Sequence, residues 1–179
     1  MITVALIAAF FAGIFEVNAI CLRYIEASKE SVSAIQGVHN RIETLRNLAF
    51  SDLITESYMT TSTGTDPVTN LPLPGLLTAP ADNSSFTQKV TEFVTLTDVT
   101  SVTSGDYSGG GGSQVTYTRT PGVSVTPTVS WNGGSSFPTS GNNKTTLLKV
   151  KVKYNWNATL GGRARTEETE TIVSDGVKK

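Results

Sequence analysis

From Met1 to Leu22 only Thr3, Gly13, Glu16 and Asn18 are not apolar, and no lysine or arginine precedes Arg23. That length matches the roughly 20 apolar residues a helix needs to cross a bilayer. A helix this greasy must lie in lipid or against apolar surface from other chains. Between Met1 and Tyr58 there is no proline, and the only glycines are Gly13 and Gly37, so nothing forces the helix to stop. Beyond the apolar run, Ile25, Val32, Ile35, Val38, Ile42, Leu45 and Leu48 recur at steps of three, four and seven, which places them on one helical face. The other face carries Arg23, Glu26, Lys29, Glu30, Arg41, Glu43 and Arg46 in mixed sign and reads as solvated, with Arg23/Glu26 and Glu26/Lys29 at pairing distance. A continuous helix of this extent is on the order of 85 Å long at 1.5 Å per residue.

After Thr60 the chain turns to Thr, Ser, Gly, Asn and Val. Gly64, Asp66-Pro67, Pro72, Pro74-Gly75 and Pro80 punctuate a loop. Phe86 to Val102, Gln114 to Thr120, Val123 to Trp131, Thr145 to Asn157 and Arg163 to Val173 are rich in β-branched and aromatic residues and predict strands. Val150, Val152, Tyr154 and Trp156 alternate with Lys149, Lys151, Lys153 and Asn155, one face apolar and one wet. With Gly161-Gly162 as a two-residue hairpin turn, Lys153 falls opposite Glu170. Ser108 to Ser113, Ser-Gly-Gly-Gly-Gly-Ser, predicts a flexible loop between strands. The predicted fold class is α+β: a long N-terminal helix, apolar then amphipathic, packed on a C-terminal antiparallel sheet. Its segments are an assembly or transmembrane helix over 1–58, a loop-rich connection over 59–85 and a β-rich head over 86–179.

A net charge of −1 points neither to nucleic acid nor to an anionic membrane surface, and nucleic acid is not expected as a main partner. One cysteine, Cys21, excludes an internal disulfide, and with the single His39 it cannot build a four-ligand zinc site from nitrogen and sulfur alone. No nucleophile motif or acid/base pair stands out, and His39 has no convergent partner. The expectation is a chain that is not an enzyme and uses no cofactor or metal. Asn83, Asn143 and Asn157 begin N-x-S/T triplets and are candidate glycosylation sites, although such triplets arise by chance in a Thr-rich chain. The Gly-rich loops Ser108 to Ser113 and Asn132 to Asn143 offer surfaces for recognition, with adhesion as one use.

The apolar helix running into an amphipathic one that ends Asn40-Arg41-Ile42-Glu43-Thr44-Leu45-Arg46-Asn47-Leu48-Ala49-Phe50-Ser51-Asp52-Leu53 resembles type IV pilins, especially minor pilins and type II secretion pseudopilins. The closing Leu148 to Trp156, then Gly-Gly and a strand ending Thr171-Ile172-Val173, is similar to the terminal hairpin of those proteins. The resemblance covers both ends and not the middle. It implies a chain processed by a prepilin peptidase and N-methylated on its first residue, here Met1. It also implies insertion in the inner membrane, then extraction by assembly machinery into an extracellular filament whose core is made of packed helices. The chain departs from the family in three ways: Ala5 stands where a glutamate usually neutralises a neighbour's amine, the helix proline of the early twenties is absent, and no C-terminal disulfide can form.

The resulting expectation is a structural subunit of a type IV pilus-like filament on a prokaryotic cell surface, whose partners are copies of itself, the assembly machinery and, before assembly, the membrane. A minor tip pilin or a secretion pseudopilin is the second reading, and a membrane-anchored surface binding domain the third. Met1, Ala5, Ala9, Phe10, Gly13, Glu16 and Asn18 are the candidate assembly residues, the small ones because they let helices approach closely. A carboxylate in hydrocarbon needs a partner or water. Glu16 therefore either contacts a neighbouring subunit, such as its Met1 amine, or marks where the membrane part ends.

Overall fold

A computed structural model describes residues 2–60, 76–81, 84–100, 112–120, 126–140, 144–159 and 161–176. The sequence-based statements about Met1, Asn83, Asn143, most of the Pro-rich connection and most of the Ser108 to Ser113 loop lie outside these residues. Helix α1 spans Ile2–Asn47, and two short helices follow, α2 over Phe50–Leu53 and α3 over Glu56–Thr60. Five strands complete the fold: β1 Thr91–Asp98, β2 Gln114–Arg119, β3 Thr128–Asn132, β4 Leu147–Asn157 and β5 Ala164–Ser174. All neighbours are antiparallel in the order β3-β2-β1-β4-β5. This is the α+β arrangement expected from the sequence.

The helix does not run unbroken to Tyr58. It stops at Asn47, and Ala49 takes an extended conformation (φ −64°, ψ 144°) ahead of α2. The break has a packing cause: the two short helices turn Leu53 and Met59 into the core, where both are fully buried. Burying side chains of that size is worth about 1.5–3 kcal/mol each. Leu77 then ties the end of α3 to the chain that follows, its N–H donating to the Met59 carbonyl at 2.9 Å.

The core lies between one face of the sheet and the upper part of α1. Val94 and Leu96 of β1, Val115 and Tyr117 of β2, and Leu148, Val150, Val152, Tyr154 and Trp156 of β4 point into it. They meet Ala34, Gly37, Val38, Arg41, Ile42 and Leu45 of α1. Gly37 is required for this approach, because a Cβ there would sit 2.7 Å from Cε2 of Tyr154. The opposite sheet face carries Lys149, Lys151 and Lys153 beside Thr95 and Thr116, as the alternation predicts.

The terminal hairpin has a different register from the one expected. Lys153 is opposite Glu168, and Lys151 is opposite Glu170. The strands separate at Asn157 and Ala164, so the loop holds six residues rather than two. Its closure is carried by the Ala158 N–H bond to the Arg163 carbonyl at 2.9 Å and by Gly161 and Gly162, both at positive φ. A shift of two residues preserves which side chain faces which side. The lysines consequently still meet glutamates, diagonally: Lys151 to Glu168 at 2.9 Å and Lys149 to Glu170 at 3.7 Å.

Candidate anchoring and assembly surface

Helix α1 is divided by what covers it. Every described residue from Ile2 to Glu26 is exposed, and the first partly covered position is Ala27. The span up to Glu26 extends about 38 Å beyond that point at 1.5 Å per residue. Phe10 and Phe15 are 68% and 70% exposed, values that no apolar side chain of the core approaches. The helix is long and apolar enough to cross a membrane, and no part of its apolar window is buried.

Ala5, Ala9, Phe10, Gly13, Glu16 and Asn18 all sit on this bare span, and all are exposed. A Cβ added at Gly13 meets nothing within 4 Å, so the chain's own fold makes no demand for glycine there. Glu16, Arg23, Glu26 and Lys29 form no ion pair among the described residues, and the two i,i+3 pairs expected from spacing are not made. Cys21 is exposed on the same span as a free thiol. Of the apolar stripe expected to pack, Val38, Ile42 and Leu45 are buried, whereas Ile25, Val32 and Ile35 face outward. The stripe drifts off the head because the sheet meets the helix on the side marked by Ala34, Gly37 and Arg41.

Where the span leaves the head, Glu30 holds the hairpin loop. Its carboxylate accepts the Thr159 N–H at 3.2 Å and the Thr159 hydroxyl. Glu30 therefore has a partner on a face expected to be solvated. Thr159 is also the third residue of the Asn157 triplet, and Asn157 itself is exposed at the end of β4.

Arg41 is the larger departure from the solvated-face reading. It is 3% exposed and forks onto Glu92, with Nη1 and Nη2 also donating to the carbonyls of Leu76 and Ala79. Burial weakens the guanidinium's hold on its proton, but the Glu92 charge and hydrogen bond outweigh this and raise Arg41 above its ordinary pKa. Arg119 completes the group, reaching Glu92 at 3.1 Å and the Thr87 carbonyl at 3.0 Å. No local motif marks Glu92 and Arg119 in the sequence, although the alternations Glu92-Val94-Leu96 and Val115-Tyr117-Arg119 put both on the core face. The cluster joins α1, β1, β2 and the chain around Leu76 to Ala79. It fixes the angle at which the head sits on the helix.

Nearby, Trp131 Nε1 donates to Glu56 at 2.9 Å. Burial first, and the Glu56 charge second, push the Tyr117 hydroxyl well above its ordinary pKa. Among the described residues no three His, Cys, Asp or Glu side chains come together in a metal-binding arrangement. The arrangement presents a long apolar helical span on a head whose core includes the upper part of α1 and none of that span. No family model, curated protein or solved structure matches the chain.

Proposed function

We propose that the chain is a structural subunit of an extracellular type IV pilus-like filament. Before assembly α1 holds it in the inner membrane, and in the filament the same apolar span packs laterally against other copies while the sheet faces outward. One observation carries this reading. The span Ile2 to Glu26 is wholly uncovered, yet the head keeps a complete core of its own without it. Apolar surface of that extent is stable only in lipid or against other apolar helices, since exposing it to water costs roughly 25 cal/mol per Å². Prepilin processing and an assembly motor follow from the resemblance to pilins.

The experiment is mass spectrometry of the N-terminal peptide from material sheared off cells. An N-methylated N-terminal residue, in the most abundant protein of that fraction, supports the shaft subunit. The same modification in a trace component supports a minor or secretion pilin. An unprocessed N-terminus, with the protein a detergent monomer in the membrane fraction, leaves a membrane-anchored surface domain.

A further inference from the structure

Behind the head, α1 carries a shallow groove lined by Tyr24, Ile25, Ser28, Lys29, Val32 and Ser33. Its walls are two rows spaced by four residues, the surface into which a ridge of another helix fits. Tyr24, Ile25 and Val32 are half or more exposed, and Ile35 extends the same face. Within the chain, Ile25, Ser28, Val32, Ile35 and His39 recur at steps of three and four and form one straight stripe.

The bare span carries a second stripe with the same spacing: Ile2, Ala5, Ala9, Ala12 and Glu16. It continues through Ala19, Arg23, Ala27, Glu30 and Ala34 into the face the sheet covers, so it looks the way the head looks. Corresponding positions of the two stripes are twenty-three residues apart, about 6.4 turns, which sets the stripes on largely opposite sides of the helix. A copy lying against the span's stripe must end beneath the neighbour's head, whose helix is first partly covered at Ala27. Because α1 ends at Asn47, parallel copies must be offset by at least twenty residues, about 30 Å.

An offset of twenty-three residues, about 35 Å, clears that limit. It brings Ile2 to Ile25, Ala5 to Ser28, Ala9 to Val32, Ala12 to Ile35 and Glu16 to His39. Alanines face the two β-branched side chains in the middle. At the end, the only acid of the bare span before Arg23 meets the only histidine of the chain. Glu16 has no ion-pair partner among the described residues of its own chain, and His39 is exposed.

We propose that the groove behind the head receives the apolar span of a second copy in this register, with His39 donating to the Glu16 carboxylate. This rests on the filament reading and adds to it the direction and axial offset of the contact. The two surfaces differ and face opposite ways, so the contact is heterologous and repeats without closing.

Disulfide trapping in the full chain tests it, in membranes and in sheared material. In a Cys21→Ser background, Ala9→Cys combined with Val32→Cys is expected to give a ladder of dimers, trimers and higher species on oxidation. Ala9→Cys combined with Ile25→Cys, seven residues out of register, is expected to give at most a tenth of that yield. Glu16→Lys is expected to cut the assembled fraction at least tenfold, and His39→Glu added to it to restore assembly. Filaments that form but give no ladder, or equal ladders from both pairs, overturn the register while the filament reading stands. Failure of the charge exchange to restore assembly overturns the Glu16–His39 contact. Monomers alone in both fractions, from the unsubstituted chain, overturn the filament reading and the register together.

Discussion

The Arg41 guanidinium holds the Glu92 carboxylate at two points, Nε to Oε1 at 2.6 Å and Nη2 to Oε2 at 3.0 Å, with both side chains sealed from water. A buried pair of this kind adds little over a well-packed apolar pair, but removing one partner strands the other charge and costs about 3–5 kcal/mol. Glu92→Gln is therefore expected to destabilise the head by that amount, since it leaves two buried arginines facing a neutral amide. Arg41→Lys is expected to lose most of it too, because an ammonium cannot reproduce the fork or reach the Leu76 and Ala79 carbonyls at the same time. Denaturant unfolding of the detergent-solubilised chain, followed by tryptophan fluorescence, measures both.

The two helix glycines predict opposite outcomes. Gly37→Ala drives a methyl into the Tyr154 ring and is expected to cost about 1–3 kcal/mol of head stability. Gly13→Ala meets open space within its own chain and is expected to leave head stability unchanged, while strengthening the helix by up to about 1 kcal/mol. Gly13→Leu, or a charge at Ala9, is expected to leave the head equally folded and to abolish filaments. Normal piliation in those two variants removes helix packing as the assembly force.

Tyr117 gives the head an alkaline limit. In the folded chain its hydroxyl keeps its proton beyond the ordinary value of 10.0, whereas the unfolded tyrosine ionises there. The folded state thus binds more protons above about pH 10, so the stability contributed by Tyr117 is full below that pH and falls as pH rises through it. The denaturation midpoint is expected to drop as pH rises above about 10. Tyr117→Phe is expected to flatten that part of the profile, and an unchanged slope refutes the assignment to this residue.

The parts of the fold that announced themselves in sequence are those where one local period decides the structure. The apolar run and the 3.6-residue spacing gave α1, and the alternation of Val150, Val152, Tyr154 and Trp156 with lysines gave β4 and its two faces. The hairpin register was not legible from Gly161-Gly162, because the Glu30 carboxylate, far away in sequence, holds Thr159 and supports a wider loop. Arg41 reads as solvated for a related reason. A charged residue on a mixed-charge helix face signals solvent until its partner is known, and Glu92 lies fifty-one residues away on another element. The helix end at Asn47 likewise depends on pockets for Leu53 and Met59 that exist only once the sheet has formed. For the span itself, the sequence showed what kind of surface it is, and the fold added that every described residue of it is exposed.

Among the described residues the Glu30 contact with Thr159 is the hydrogen bond between head and helix that lies nearest the bare span, so it bears on how firmly the span is aimed. Glu30→Ala removes both acceptors and leaves the Asn157 triplet intact. A hydrogen bond to a charged group is worth about 1.5–3 kcal/mol, less where water competes, as at this exposed loop. The Thr159 amide is expected to exchange with deuterium about tenfold faster in that variant, corresponding to about 1.4 kcal/mol of local protection. Amides of the β1–β4 ladder, held by a core that Glu30 does not enter, are expected to exchange at unchanged rates. Faster exchange throughout the sheet would instead make Glu30 a determinant of the whole head, and no change at Thr159 would show that the loop holds its shape without the helix.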